Sequence, residues 1–210
     1  MAFDAPLPEI DVALSGGLRE RNQAARRDRV IRAAMELASE GGYEAVHMRA
    51  VAERGDVALG TIYRYFSSKD DLLVAAMVQW AGQLRDRLAD MPPSDDDPVD
   101  RVVAVLSQAV SALERRRGLT TALVTAMSST DAAVAAGKVE IGRVMLATLQ
   151  AAVGDSSEVS PAAMRVLGQV WFASLWEWVG GLADDGTVAA DLAVAAELLL
   201  GRRPAAESAI

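Results

Sequence analysis

Apolar residues recur along this chain at intervals of three and four, and no stretch keeps the period of two that a strand requires. A first helix is predicted over residues 18–40, with Val30, Ile31, Ala34, Leu37 and Ala38 on one side and Gly41 and Gly42 ending it. A short second helix, 47–54, buries Met48, Val51 and Ala52, and Gly55 with Asp56 makes the turn. The third, 58–65, is too short to stand alone and must lean inward through Ile62 and Phe66. Ser67 and Ser68, each followed three residues later by Asp70 or Asp71, cap a fourth helix reaching about residue 89, with Leu73, Met77, Trp80 and Leu84 as its buried stripe. Residues 91–96 break the chain, and Asp97 with Pro98 opens a helix to about residue 117. Further helices are predicted over 118–128, 131–153, 160–184 and 188–200, with a loop at 154–157. The fold class is all-α, with about nine helices.

The 160–184 segment is apolar on two sides. Met164, Gly168, Trp171, Leu175, Trp178 and Leu182 form a seven-residue seam, while Phe172, Trp176 and Val179 lie elsewhere on the helix. Such a helix needs two partners, its own core and a second subunit. Met164, Gly168, Trp171, Leu175 and Trp178 are the seam's candidates for that subunit contact, and Leu192 and Leu199 form an apolar stripe on the last helix.

Composition narrows the chemistry. The chain has no cysteine and one histidine, His47, so disulfide scaffolds and Cys/His zinc sites are excluded, and a His-dependent triad would have to use His47 itself, which argues against hydrolase chemistry. No metal site, cofactor or enzymatic activity is expected. No signal peptide or run long enough to span a membrane is visible, so a cytoplasmic location is expected. The net charge of −8 hides a division: residues 19–70 hold ten Arg and Lys against eight Asp and Glu, whereas 71–210 hold eleven against eighteen. Positive charge therefore gathers in one segment, as a nucleic-acid footprint requires. The boundaries expected are a flexible arm at 1–18, carrying Pro6, Pro8, Gly16 and Gly17, a basic N-terminal domain at 19–70, and an acidic helical domain at 71–210.

Residues 42–69, GYEAVHMRAVAERGDVALGTIYRYFSSK, describe two short helices about a tight turn, followed by the start of another helix. That is the layout of a helix-turn-helix whose second helix enters the major groove. With the GTIYRYF helix and the Ser-Lys start of the next one, this segment resembles the N-terminal signature of the TetR family of bacterial transcriptional repressors. Within it, GGYEAV, MRAVAER, YRYF and the later VWFASLWEWV are similar to the KstR-like branch, regulators of sterol and lipid catabolism. The resemblance is specific over residues 24–75; beyond them only helix number and order match. It implies DNA contacts from Arg49, Leu59, Gly60, Thr61, Tyr63, Arg64, Tyr65 and Lys69. The chemistry agrees: guanidinium groups read guanine or grip phosphate, Tyr63 reaches base edges, and Thr61, Tyr65 and Lys69 hold phosphates. Gly60 serves either close backbone approach to the bases or close helix packing. Arginines of the first helix are further candidates for phosphate contact. His47 and Ala58 stand where the family carries Thr and Ser, and each removes a side-chain N-cap worth about 1 kcal/mol.

The remaining helices hold Met and Trp residues that either pack as core or line a pocket. The pocket reading takes Met77, Trp80, Leu84, Leu106, Leu123, Met127 and Trp176, with Gln79, Gln83, Gln108, Thr120, Thr125 and Gln169 as nearby polar groups. The family resemblance also implies dimerisation through the last two helices. The expected protein is a homodimeric repressor that binds an inverted-repeat operator in double-stranded DNA and leaves it when a hydrophobic small molecule binds. A second reading is an all-helical carrier or interaction module whose helix-turn-helix no longer binds DNA, which the acidic total and missing caps would fit.

Overall fold

The computed structural model describes residues 12–89, 97–154 and 160–201; the breaks expected at 91–96 and 155–157, and the first eleven residues of the expected arm, lie outside them. Nine α-helices and one 3-10 turn, with no strand, make up the described residues: α1 Val12–Ala45, α2 Met48–Arg54, α3 Leu59–Tyr65, α4 Lys69–Ala89, α5 Pro98–Glu114, α6 Arg117–Met127, the 3-10 turn Ala132–Val134, α7 Ala135–Val153, α8 Pro161–Val179 and α9 Thr187–Leu200. Helix α1 starts six residues before the expected 18, so the end of the expected arm is helical. Its regular part still stops where the glycines fall, since Gly42 takes φ 68°. Helix α8 ends at Val179, short of the expected 184, because Gly180 and Gly181 follow and Gly181 turns left-handed at φ 73°.

The caps follow the sequence. Asp97 accepts from the Val99 N–H at 2.8 Å and Ser160 from Ala162 at 3.2 Å, each with proline in the first turn. Ser68 caps α4 by accepting the Asp71 N–H at 3.2 Å, and the Asp71 carboxylate reaches back to the Ser67 N–H at 2.9 Å. His47 and Ala58 precede α2 and α3 without a side-chain cap bond, as their identities imply.

Two cores organise the helices. The first joins α1 (Val30, Ile31, Ala34), α2 (Val51), α3 (Ile62) and the start of α4 (Leu72, Leu73, Met77) to α6 (Leu119, Leu123) and Ile141 of α7. The second joins α5 (Val102, Leu106, Val110), α7 (Leu149, Val153), α8 (Leu167, Trp171, Trp178) and α9 (Val188, Leu192), with Trp80 and Leu84 of α4 packed on it. The first core thus crosses the boundary expected at residue 70, and α4 belongs to both. Close approach secures the crossing. A Cβ on Gly118, in the first turn of α6, would stand 3.2 Å from the Ala38 carbonyl oxygen of α1, and one on Gly137 of α7 would overlap the Val74 side chain of α4. Among the described residues no helix is long and apolar enough to cross a membrane.

Candidate functional site

Helices α2 and α3 meet at a turn that Asp56 completes at φ 49°, a conformation Asp tolerates better than most residues. Ile62 and Phe66 point inward, 0% and 2% exposed, and fix the face α3 turns outward. On the outside lie Tyr63, 54% exposed, with Gly60 and Arg64; Arg49 of α2 is also exposed, and Leu59, Thr61 and Tyr65 are half-buried. A Cβ on Gly60 would meet nothing within 4 Å, so helix packing does not require a glycine there. Arg64 lies over the Tyr65 ring at 5.3 Å, and with Arg26 of α1 the two line a polar hollow. Of the α1 arginines that the sequence offers together as phosphate contacts, Arg26 lines this hollow. Arg27 instead covers the Phe66 ring at 5.3 Å. Arg54 grips Glu40 with two bonds of 2.8 and 2.9 Å, tying α2 to α1 and holding the Glu40 carboxyl below its ordinary range.

Lys69 opens α4 beside this surface. Its ammonium sits 3.7 Å from the centre of the Tyr43 ring and 4.0 Å from Glu44. Tyr43 donates to the Asp70 carboxylate at 2.5 Å, tying the end of α1 to the start of α4. Burial first, and then the bond to Asp70, push the Tyr43 phenol up to about 12. A raised value means the protonated phenol stabilises the fold; that contribution is complete below the unfolded value near ~10 and is lost as pH rises through about 12. Between these limits wild-type stability should fall, and Tyr43→Phe should lack that part of the fall. Urea midpoints measured from pH 9 to 12 check this.

The second feature is a cavity between α4 (Met77, Trp80, Ala81, Leu84), α5 (Val105, Ala109, Leu113), α7 (Ile141, Val144, Met145, Thr148) and α8 (Trp171, Phe172, Leu175). Its lining is apolar save Thr148 and two indoles, and its open volume is about 60 Å³, room for a water or two. Of the expected pocket residues Met77, Trp80 and Leu84 line it. Leu106 and Leu123 are instead sealed in the second and first cores, Met127 packs on the first, and Trp176 faces outward, 52% exposed. None of the expected polar groups reaches the cavity. Gln79 and Gln83 line a separate cleft with Arg115 and Arg116, Thr120 donates to the Leu113 carbonyl at 2.7 Å, and Gln108, Thr125 and Gln169 are exposed.

The seam expected at a subunit contact is used within the chain. Met164, Trp171, Leu175, Trp178 and Leu192 are buried by α5, α7 and α9, and Gly168 and Leu199 are half-buried against the same core. The Trp178 indole N–H donates to Asp185 at 2.7 Å under the Arg117 guanidinium. What α8 and α9 leave uncovered is another strip: Phe172, Trp176, Val194 and Leu198, from 37% to 68% exposed.

A basic helix-turn-helix joined by a shared core to an all-helical body with an apolar cavity defines a DNA-binding regulator, and among the described residues no cluster of acidic or His residues suited to a metal accompanies it. The chain belongs to the tetR family of bacterial regulatory proteins, whose model matches residues 30–76, while a tetracyclin repressor-like C-terminal domain matches 96–199. Its relatives are regulators rather than enzymes. It is 40% identical over 192 residues to the HTH-type transcriptional repressor KstR of Rhodococcus jostii, covering 89% of this chain and 90% of that one. The crystal structure of a TetR transcriptional regulator from Rhodococcus sp. RHA1 superposes with TM-score 0.76 at 34% identity, over 86% of this chain and 97% of that chain. Thermus thermophilus FadR, a TetR-family repressor solved in complex with lauroyl-CoA, shares the fold at TM-score 0.67 and 21% identity, over 88% and 98%.

Proposed function

We propose that the protein is a cytoplasmic, homodimeric transcriptional repressor that reads an inverted-repeat operator with residues 47–69 and releases it when a hydrophobic small molecule enters the cavity. The observation that carries this reading is the course of α4, which begins at Lys69, four residues after α3 ends, and passes Met77, Trp80 and Leu84 along the cavity wall. Tyr63 and Arg49 meet base edges, Gly60 admits the backbone, and Arg64, Tyr65, Thr61 and Lys69, joined by Arg26, hold phosphates. The exposed strip Phe172, Trp176, Val194 and Leu198 is the subunit contact, because one seven-residue recognition helix reads too few base pairs alone.

A cavity of about 60 Å³ is far below the ~300–1,000 Å³ of a typical ligand site, so an effector must part the surrounding helices to enter. Only a ligand that prefers the parted form can shift the equilibrium away from DNA binding. The lauroyl-CoA held by the Thermus thermophilus relative supports an amphiphile or other largely apolar effector. A mobility-shift assay on DNA upstream of the protein's own gene, across a salt series, tests the reading. Affinity should fall steeply with salt, with a log–log slope near −0.9 per phosphate neutralised. A flat salt response, or no shift at all, removes the helix-turn-helix from the function.

A further inference from the structure

Trp171 is 6% exposed, and its indole nitrogen is sealed from water with no acceptor. The contrast with Trp178, seven residues along the same helix, is informative, because there the equivalent N–H is answered by Asp185 at 2.7 Å. A buried donor left open is costly, and phenylalanine would give the same apolar bulk without the cost. Trp171 also lines the cavity. No charged side chain stands in that lining, and the Thr148 hydroxyl already donates to the Val144 carbonyl at 2.8 Å. Trp80, the other indole there, is half-buried and has no such sealed nitrogen.

We propose that Trp171 is the specificity-determining donor of the cavity, its N–H held ready for an uncharged oxygen acceptor, such as a carbonyl, on the effector. This rests on the cavity being the effector site. A carboxylate or phosphate inside would find one neutral N–H and no cation, so any charged part of the molecule must remain outside the apolar lining.

The test uses the full chain, labelled with 15N at its indoles, and two probes that differ only in a carbonyl where the other has a methylene: 4-phenylcyclohexanone and phenylcyclohexane. The Trp171 indole proton should move downfield with the ketone and not with the hydrocarbon. Trp171→Phe should weaken the ketone about fivefold to tenfold, the size of one net buried hydrogen bond, and leave the hydrocarbon within about twofold. Trp80→Phe should not separate the two probes. If both probes move the indole proton alike, or both weaken alike in Trp171→Phe, the donor role is overturned while the cavity stands as the effector site. If neither probe perturbs the Trp80 or the Trp171 indole, the cavity reading falls and takes the donor with it. The wild-type spectra decide the matter even should the variant fold poorly.

Discussion

Replacing Tyr63 with alanine should weaken operator binding by about thirtyfold or more and leave the stability of the protein almost unchanged. The ring is 54% exposed on a helix anchored by Ile62 and Phe66, so its removal opens no cavity and should alter stability by no more than about 0.5 kcal/mol. A base-edge contact is worth roughly 1–3 kcal/mol, and a two-fold complex loses it twice, giving about 2–6 kcal/mol. The salt slope should hardly move, because the phosphate contacts survive. Thermal melting and a salt-resolved mobility shift, run side by side, separate this outcome from general unfolding. Unchanged affinity would mean that α3 does not face the bases.

A larger loss is expected from Trp176→Asp, acting through assembly. Trp176 stands on the strip that α8 and α9 leave uncovered, and aromatic residues of this kind dominate interface energies at about 2 kcal/mol or more each. Two-fold symmetry removes both copies and leaves two carboxylates facing an apolar surface, so the dimer should weaken by roughly 4 kcal/mol, about a thousandfold. Sedimentation should show a helical monomer, and operator affinity should collapse because the two reading heads no longer bind as one. Trp178→Asp supplies the contrast: that ring is 1% exposed in the second core, and the substitution should unfold the body rather than divide it. A dimer that persists in Trp176→Asp would place the contact elsewhere.

These two tryptophans show where sequence reading reaches its limit. The helix-turn-helix is legible because its signals are local: Gly42 at positive φ, the Gly55–Asp56 turn, the Ser68 cap and the Ile62/Phe66 spacing all act within a few residues. The two sides of α8 were legible as well. Which side meets the chain's own core was not, since a seven-residue period looks the same whether α5 and α9 or a second subunit covers it. Burial decides it, giving Met164, Trp171, Leu175 and Trp178 to the interior and Trp176 to the outside. The cavity failed for the same reason. Leu106 and Leu123 recur at the same spacing as true lining residues, and only the packing of four helices selects Val144, Met145 and Phe172 instead. The C-terminal end of α8 was placed five residues too late, although Gly180 and Gly181 stand in plain view in the sequence.

The double membership of α4 sets a mechanical scale. Its 21 residues form a rod about 30 Å long, with Met77, Trp80 and Leu84 against the cavity along its length and Lys69 at its N-terminal tip. Pivoting such a rod by about five degrees swings its far tip by about 3 Å. Two protomers swinging oppositely would change the reach between their heads by up to about 5 Å, against a groove repeat of about 34–36 Å. On the proposed reading, a wedge no wider than a few methylene groups, driven between α4 and α7, should be enough to throw the pair out of step with the duplex.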